Sequence, residues 1–232
     1  MPTQQLIAHA HGHVTGEYAQ NTVYLTGEHV SDAGFYQNIR LSVQPSIGSA
    51  ETCLRPAEDS GYHPRLFVGR MTSAPTEQIL LSIDSGGSGA IGYYSVYSYE
   101  NGAFRTLLTT AQYNSAFQYQ VNYLAQYRVQ VVSLSNGLEY LIDIGGRSGE
   151  YLSRLYNADG SLKKPMQGFA SDLSLLYPAD IAGDGIYALV GYQEISGLYR
   201  ADALGYVINT LQWQNGRFAL TNQLLGVFGT RA

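Results

Sequence analysis

Tight-turn signals recur at an almost constant interval along the chain, and that interval limits what the chain can fold into more than any other feature. Asn101-Gly102 lies between Tyr99 and Phe104, and Asn215-Gly216 lies between Trp213 and Phe218. Both read aromatic-x-Asn-Gly-x-Phe. Asn-Gly flanked by apolar residues signals a hairpin, because a two-residue type I′ turn needs positive φ at both central positions. Between the two, Asp159-Gly160 has Tyr156 before it and Leu162 after it. The glycines at 102, 160 and 216 stand 58 and 56 residues apart, and another step back from Gly102 reaches Gln44-Pro45, just after a strand-like stretch at 38–43. Four such units account for all 232 residues.

A second feature keeps the same phase. Ile79-Leu80-Leu81-Ser82-Ile83-Asp84 runs into Ser85-Gly86-Gly87, and Tyr140-Leu141-Ile142-Asp143 runs into Ile144-Gly145-Gly146. Segments 22–27 and 187–192 hold the matching places in the first and last units. Each is a β-rich run closed by glycine, and an alternating strand such as 93–99 or 205–211 follows. No segment keeps a helical period over three turns, and 111–126 reads as extended or irregular. Units of about four antiparallel strands at a fixed period are the pattern of β-propeller blades. The expected fold is all-β: a four-bladed β-propeller forming a single domain, with repeats at 1–62, 63–124, 125–176 and 177–232. Its blade cores are expected at Val23/Leu25, Ile79/Leu81/Ile83, Leu141/Ile142 and Leu189/Val190. Either 224–228 or 5–8 should close the ring on the opposite terminus, since propellers leave few free edges. A β-sandwich is the alternative, and it leaves the period unexplained.

Composition narrows the partners. The chain has 13 basic and 18 acidic residues, for a net charge of -5, and no basic cluster. That argues against nucleic acid, whose binding rests on neutralising phosphates. No apolar run approaches the roughly 20 residues of a membrane-spanning helix. The opening segment 1–13 shows neither the basic nor the apolar region of a secretory signal. Cys53 is the sole cysteine, so no internal disulfide can form, and a structural role is expected for it.

The last unit opens with Asp180-Ile181-Ala182-Gly183-Asp184-Gly185-Ile186-Tyr187-Ala188. This loop resembles the Asp-x-(Thr/Asn)-Gly-Asp-Gly-x-x-Asp loop of FG-GAP/VCBS propeller repeats, the integrin-α-like class. Weaker copies begin at His13-Val14-Thr15-Gly16-Glu17, at Val68-Gly69-Arg70 and at Val131-Val132-Ser133. As a whole the chain is similar to short VCBS-repeat proteins of bacteria, particularly spore formers. The resemblance implies a propeller, calcium in the loops and, with no visible signal peptide, a cytoplasmic or spore-associated protein. Calcium needs several oxygen ligands, but Ala182 and Ala188 stand where the last loop should supply them, leaving Asp180 and Asp184. Any affinity there is expected to be weak, about 10⁻⁴–10⁻³ M. The other use of Asp180 is to cap its own turn, as aspartate does in Asx-turns. No other cofactor is implied.

Three further patterns bear on chemistry. His9, His11 and His13 alternate, which places three imidazoles on one face of a strand, and imidazole suits zinc, copper or nickel. Same-face neighbours on a strand lie about 6.6 Å apart, so at most two reach one ion, and His29 or Glu17 would have to complete the set. Asp84-Ser85-Gly86-Gly87 mimics a serine-protease nucleophile motif, but the next repeat reads Asp143-Ile144-Gly145-Gly146, so the tetrapeptide belongs to the architecture. Finally, 20 tyrosines offer ring area together with hydroxyls. Tyr94, Tyr97, Tyr151, Tyr192 and Tyr199, near loops or on alternating strands, are the candidate ligand-binding residues. The expected function is a non-catalytic binding module for a protein or glycan. A metal-dependent hydrolase using His9, His11 and His13 is the alternative.

Overall fold

The computed structural model describes residues 3–31, 34–44, 51–87 and 91–229. Its strands form successive antiparallel meanders. The first holds β1 (Gln4–Gly12), β2 (Asn21–Ser31), β3 (Phe35–Gln44) and β4 (Thr52–Leu54). The second holds β5 (Gly61–Gly69), β6 (Gln78–Asp84), β7 (Gly92–Glu100) and β8 (Ala103–Thr109). Two residue pairs, Phe35 with Tyr62 and Tyr36 with Gly61, join β3 to β5 and merge these meanders into one eight-stranded sheet. Helix α1 (Thr110–Ala116) leads to a third meander of β9 (Tyr119–Leu124), β10 (Arg128–Ser133) and β11 (Glu139–Asp143). Helix α2 (Gly149–Leu155) precedes the last, β12 (Phe169–Ala179), β13 (Ala188–Ser196), β14 (Ala203–Gln214) and β15 (Arg217–Val227). The fold is all-β and antiparallel, and none of the three sheets closes into a barrel. Among the described residues no helix is long and apolar enough to cross a membrane.

Three apolar clusters hold the sheets together face to face, as layers of a sandwich do. Val23, Leu25, Ile39 and Leu41 meet Ile79, Leu81, Ile83, Tyr97 and Tyr99, joining the first meander to the second. Leu80, Tyr94 and Val96, on the opposite faces of the same β6 and β7, meet Tyr113 of α1 with Leu173, Leu176, Leu189 and Leu211 of the fourth. Val121, Val129, Val131 and Ile142 pack on Ile195 and Val207, joining the third meander to the fourth. Because β6 is covered on both sides, its sequence QILLSID is a nearly continuous apolar run rather than an alternating one. Each fully buried Leu or Ile in these layers contributes about 1.5–3 kcal/mol.

Two of the three expected hairpins are present. Asn101 and Gly102 have φ of 53° and 81°, and Asn215 and Gly216 have 51° and 81°, the left-handed pairs that a type I′ turn requires. A Cβ on either glycine would meet nothing within 4 Å, so a valine there costs only backbone strain. Gly102→Val or Gly216→Val should therefore destabilise by roughly 1–3 kcal/mol, against about 0.5 kcal/mol or less for valine at an exposed loop serine. Urea titration of the three variants checks this, and equal losses would contradict the turn assignment.

Elsewhere the structure corrects the sequence-based expectations. Asp159-Gly160 makes a tight turn, but it carries only an isolated bridge between Tyr156 and Leu162 and not a strand hairpin. The preceding segment is α2, started by the Ser148 N-cap and reinforced by the Glu150–Arg154 pair one turn apart. Segment 111–126 is not irregular throughout. Thr109 and Gln112 form a reciprocal capping box that starts α1, and Tyr119–Leu124 is β9. Leu141 is 56% exposed on edge strand β11, where alternation sends Ile142 inward instead. Neither terminal strand crosses to the other end of the chain: 5–8 pairs with β2, and 224–227 pairs with β14. Cys53 lies exposed on β4 rather than in a core. Strands β5 and β12 run across the expected repeat boundaries at 62/63 and 176/177. Gln44 ends β3, and Pro45 lies outside the described residues.

Candidate binding face

The sheet of the fourth meander has one face in the cores and one toward solvent. Leu189, Gln193 and Ile195 of β13 point inward, so alternation turns Tyr192 and Glu194 outward. Register sets Leu175 of β12 opposite Tyr192, and Tyr206 of β14 opposite Glu194 and Gly226. The result is a row of aromatic rings across the strands. Tyr177 and Tyr192 stack with centroids 6.0 Å apart and planes inclined by 29°. Tyr192 meets Tyr206 edge-on at 6.2 Å, and Tyr206 meets Phe228 edge-on at 5.9 Å. Tyr177, Phe228 and the flanking Leu175 and Leu224 are all exposed. Burial and the Glu194 carboxylate, which accepts from the Tyr206 hydroxyl at 3.2 Å, hold that phenol above its usual range. Tyr192 is raised too, first by its 3.4 Å contact with the Tyr177 hydroxyl. Both hydroxyls stay neutral donors at physiological pH. At the Phe228 end a cleft of about 590 Å³ opens, lined by Leu141, Arg147, Leu204 and Val227.

Of the five tyrosines singled out by sequence, only Tyr192 belongs to this row. Tyr94 is buried and donates to the Ser174 carbonyl, and Tyr97 is buried in the first core; in both, burial raises the phenol. Neither is available to a ligand, because β7 is covered on both faces. The Tyr151 hydroxyl sits between the Tyr123 hydroxyl and Asp202 Oδ2, at 2.7 Å from each. Tyr199 is exposed on the turn between β13 and β14, outside the ring row. Tyr177, Tyr206 and Phe228 were missed. The signal for two of them was alternation, with Tyr177 next to the inward Leu176 and Tyr206 next to the inward Val207.

The loop between β12 and β13 is closed by its own backbone. Asp180 Oδ1 accepts from the amides of Gly183 and Asp184, Asp180 Oδ2 accepts from Gly185, and Asp184 Oδ1 accepts from Ile186. The matching corners use buried neutral amides. Asn21 Oδ1 accepts from the Thr15 amide and hydroxyl, and Gln78 Oε1 accepts from the amides of Met71 and Thr72. Three of the four carboxylate oxygens of Asp180 and Asp184 thus accept from backbone N–H groups of the loop. The melting temperature should stay flat as calcium rises to about 10 mM, since only a folded-state ligand raises it. Asp180→Ala should still cost about 1 kcal/mol through its stranded amides. A rise with calcium that Asp184→Ala abolishes would contradict this.

The histidines do not converge. His9 and His11 lie exposed on β1 with rings edge-to-face at 5.5 Å, while His13 follows the strand end and its amide donates to Glu77. Among the described residues no three His, Cys, Asp or Glu side chains come together as a metal site. Asp84 of the Ser-Gly-Gly motif pairs with Arg65 and His63 beside a second cleft, of about 500 Å³, that also holds Tyr62 and Ser174.

Residues 117–226 match a family described as the YybI C-terminal domain. That segment runs from the C-cap of α1 almost to the end of β15 and contains the ring row apart from Phe228. The uncharacterized protein YybI of Bacillus subtilis (strain 168) is 36% identical over 228 residues, which cover 98% of this chain and 87% of that protein. No solved structure matches the chain. Neither similarity concerns FG-GAP or VCBS repeats. With that identity sustained along nearly the whole of both chains, this protein belongs to the YybI family.

Proposed function

We propose that the chain is a binding module whose contact face is the outer face of β12–β15 and whose partner is a protein or a glycan. The observation that carries this reading is the unbroken row Tyr177–Tyr192–Tyr206–Phe228 on the solvent side. Contiguous exposed apolar area is uncommon on a soluble domain unless it meets something. Tyrosine also suits recognition, since it orders a large amphipathic ring at the expense of only two torsions. The loops at 13–20, 70–77, 134–138 and 180–187 are corresponding corners of the four meanders, and with the first and fourth meanders on opposite faces of the second, this reading takes the meanders as layers of a sandwich rather than blades of a propeller. The binding role is tested by a glycan array and a pull-down with native chain and with Tyr192→Ala/Tyr206→Ala. The double variant should keep its circular dichroism spectrum and lose the partner. A variant that retains every partner, or a native chain that holds nothing in either assay, sinks the proposal.

A further inference from the structure

The sheet of the third meander has two edges, and the chain treats them differently. The outer side of β9 is covered by the chain itself: the Tyr123 amide donates to the Met166 carbonyl at 3.0 Å, and the Gly168 amide to the Val121 carbonyl at 2.9 Å. On the other side β11 ends the sheet, and among the described residues no strand pairs with its outer edge. A free edge presents a row of N–H and C=O groups to any extended segment, and proteins usually guard one with proline, lysine or a bulge. The five residues of β11 include neither proline nor lysine, and their register with β10 is unbroken. The cleft of about 590 Å³ runs along this edge. Leu141, Ile142 and Asp143 all line it, whereas a cleft over one face of a strand would meet only alternate residues. Exposed Val227 and Phe228 add apolar surface to it.

Alternation puts Glu139, Leu141 and Asp143 on the exposed face of β11, so the edge reads acid, apolar, acid at a step of two residues. Glu139 Oε2 accepts from Gln130 at 3.1 Å and Asp143 Oδ1 from the Gly145 amide at 2.7 Å, which leaves each carboxylate its second oxygen. Arg128 stands opposite Asp143 on β10, away from the free edge, and Arg147 in the cleft is engaged by Asp202 and by the Ala203 carbonyl. A second copy is a poor occupant. Antiparallel pairing of β11 with itself in full register sets Glu139 against Asp143 at both ends, and like charges directly opposite destabilise a strand pair. We propose that β11 is a docking edge for an extended basic segment of a partner protein, which adds a strand to the sheet and sets cation, apolar residue and cation opposite Glu139, Leu141 and Asp143. Main-chain bonds supply the attachment and the alternate side chains supply the selectivity. This surface is separate from the ring row.

The test is fluorescence anisotropy of the full chain with labelled heptapeptides TKTVTKT, TETVTET and TKPPTKT, beside amide hydrogen exchange. TKTVTKT should bind, and TETVTET should bind at least about tenfold more weakly, since two cross-strand pairs turn from attraction to repulsion. TKPPTKT keeps both cations but lacks the central amide donors, so it should not bind. Exchange should slow in 139–143 when TKTVTKT is added. Glu139→Gln/Asp143→Asn, which keeps an oxygen over the Gly145 amide, should erase the difference between the basic and acidic peptides, an effect that loss of folding would not produce. Tyr192→Ala/Tyr206→Ala should bind TKTVTKT as the native chain does. The proposal is overturned if TKTVTKT is silent, if the acidic or the proline peptide binds equally well, if the neutralised variant still discriminates, or if protection falls outside 139–143. If TKTVTKT binding is lost in the Tyr192→Ala/Tyr206→Ala variant, the peptide sits on the ring row, so the edge proposal fails and the binding role of that face stands.

Discussion

Asn209→Leu should lower the melting temperature by on the order of 10 °C, although leucine has nearly the same size and the site is fully buried. Asn209 Nδ2 donates to the hydroxyls of Tyr113 and Tyr119 at 2.9 and 2.8 Å, and its Oδ1 accepts from Gln223 Nε2 at 2.8 Å. Gln223 Oε1 in turn accepts from Asn136 and Tyr140. This one amide therefore ties α1, β9, β11, β14, β15 and the corner after β10 into a single network where the second, third and fourth meanders meet. Leucine restores the volume but strands the Tyr113 hydroxyl and leaves Tyr119 and Gln223 Nε2 only their mutual 3.3 Å bond, at roughly 1–3 kcal/mol for each group that loses a partner. A total of about 3–5 kcal/mol is a large share of ordinary domain stability. At about 2–4 °C per kcal/mol for a chain of this length, the shift follows. Tyr113→Phe should cost only about 1 kcal/mol, and the double variant should lose less than the sum, because both remove the same bond. Thermal unfolding followed through the single Trp213 checks all three. A drop below about 3 °C for Asn209→Leu would mean that the network holds nothing.

The same network contributes to the alkaline limit, beside the raised phenols of Tyr151 and Tyr156. Burial pushes Tyr119 up to about 12 and Tyr113 higher still, each opposed by its bond from Asn209. A group whose pKa is raised by folding contributes stability that is intact below its unfolded value, near 10, and is lost as pH climbs through the folded value. Stability should therefore hold to about pH 10 and fall steadily toward 12. Phenolate absorbance should show Tyr113 and Tyr119 ionising only on unfolding.

How much of this was legible in the sequence depended on how local the deciding interaction was. The Asn-Gly hairpins were legible because both residues of a type I′ turn must adopt positive φ, a demand that four consecutive residues settle among themselves. The apolar runs of β2, β6 and β13 were legible for a similar reason. The third unit failed because Ser148 starts a seven-residue helix, as Thr109 does at the end of the second, and two turns are too short to raise a 3.6-residue period. Leu141 failed because alternation says which residues share a face but not which face meets a core. The candidate site failed in the same way. Tyr94, Tyr97 and Tyr192 all sit on alternating strands. What separates them is that β7 is covered on both sides whereas β13 is covered on one, and that depends on sheets far apart in the chain. The capping role of Asp180 was readable from its own glycines.

Asp202→Ala should cost about 3 kcal/mol, and with its companion variant it separates a structural tyrosine from a binding one. The Asp202 carboxylate is 2% exposed. Its Oδ2 accepts from the Leu198 amide at 2.8 Å and from the Tyr151 hydroxyl at 2.7 Å, while Arg147 approaches Oδ1 at 3.4 Å and lies over the Tyr151 ring. The turn at 197–202 is thus pinned to the third meander by one acid. A Cβ on Gly197 would come within 2.3 Å of both Asp202 Oδ2 and the Tyr123 hydroxyl, so glycine is needed there for the acid to reach its partners. Alanine at 202 leaves the Leu198 amide unpaired, the Tyr151 phenol with only the Tyr123 hydroxyl and Arg147 with only the Ala203 carbonyl, and breaking such a pair around a buried acid is damaging. Asp202→Asn keeps an acceptor for the amide and loses the charge opposite Arg147, so it should fall between alanine and the native chain. Burial and the bonds to Tyr123 and Asp202 push the Tyr151 phenol far up, so it serves as a neutral donor throughout the physiological range. Tyr151→Phe should therefore lower stability by about 1 kcal/mol and leave partner binding untouched, whereas Tyr192→Ala should do the reverse. Urea midpoints and binding isotherms measured on the same two variants decide the matter. If Tyr151→Phe weakens binding at unchanged stability, the ligand contacts the third meander and the ring row on β12–β15 is not the face that meets it.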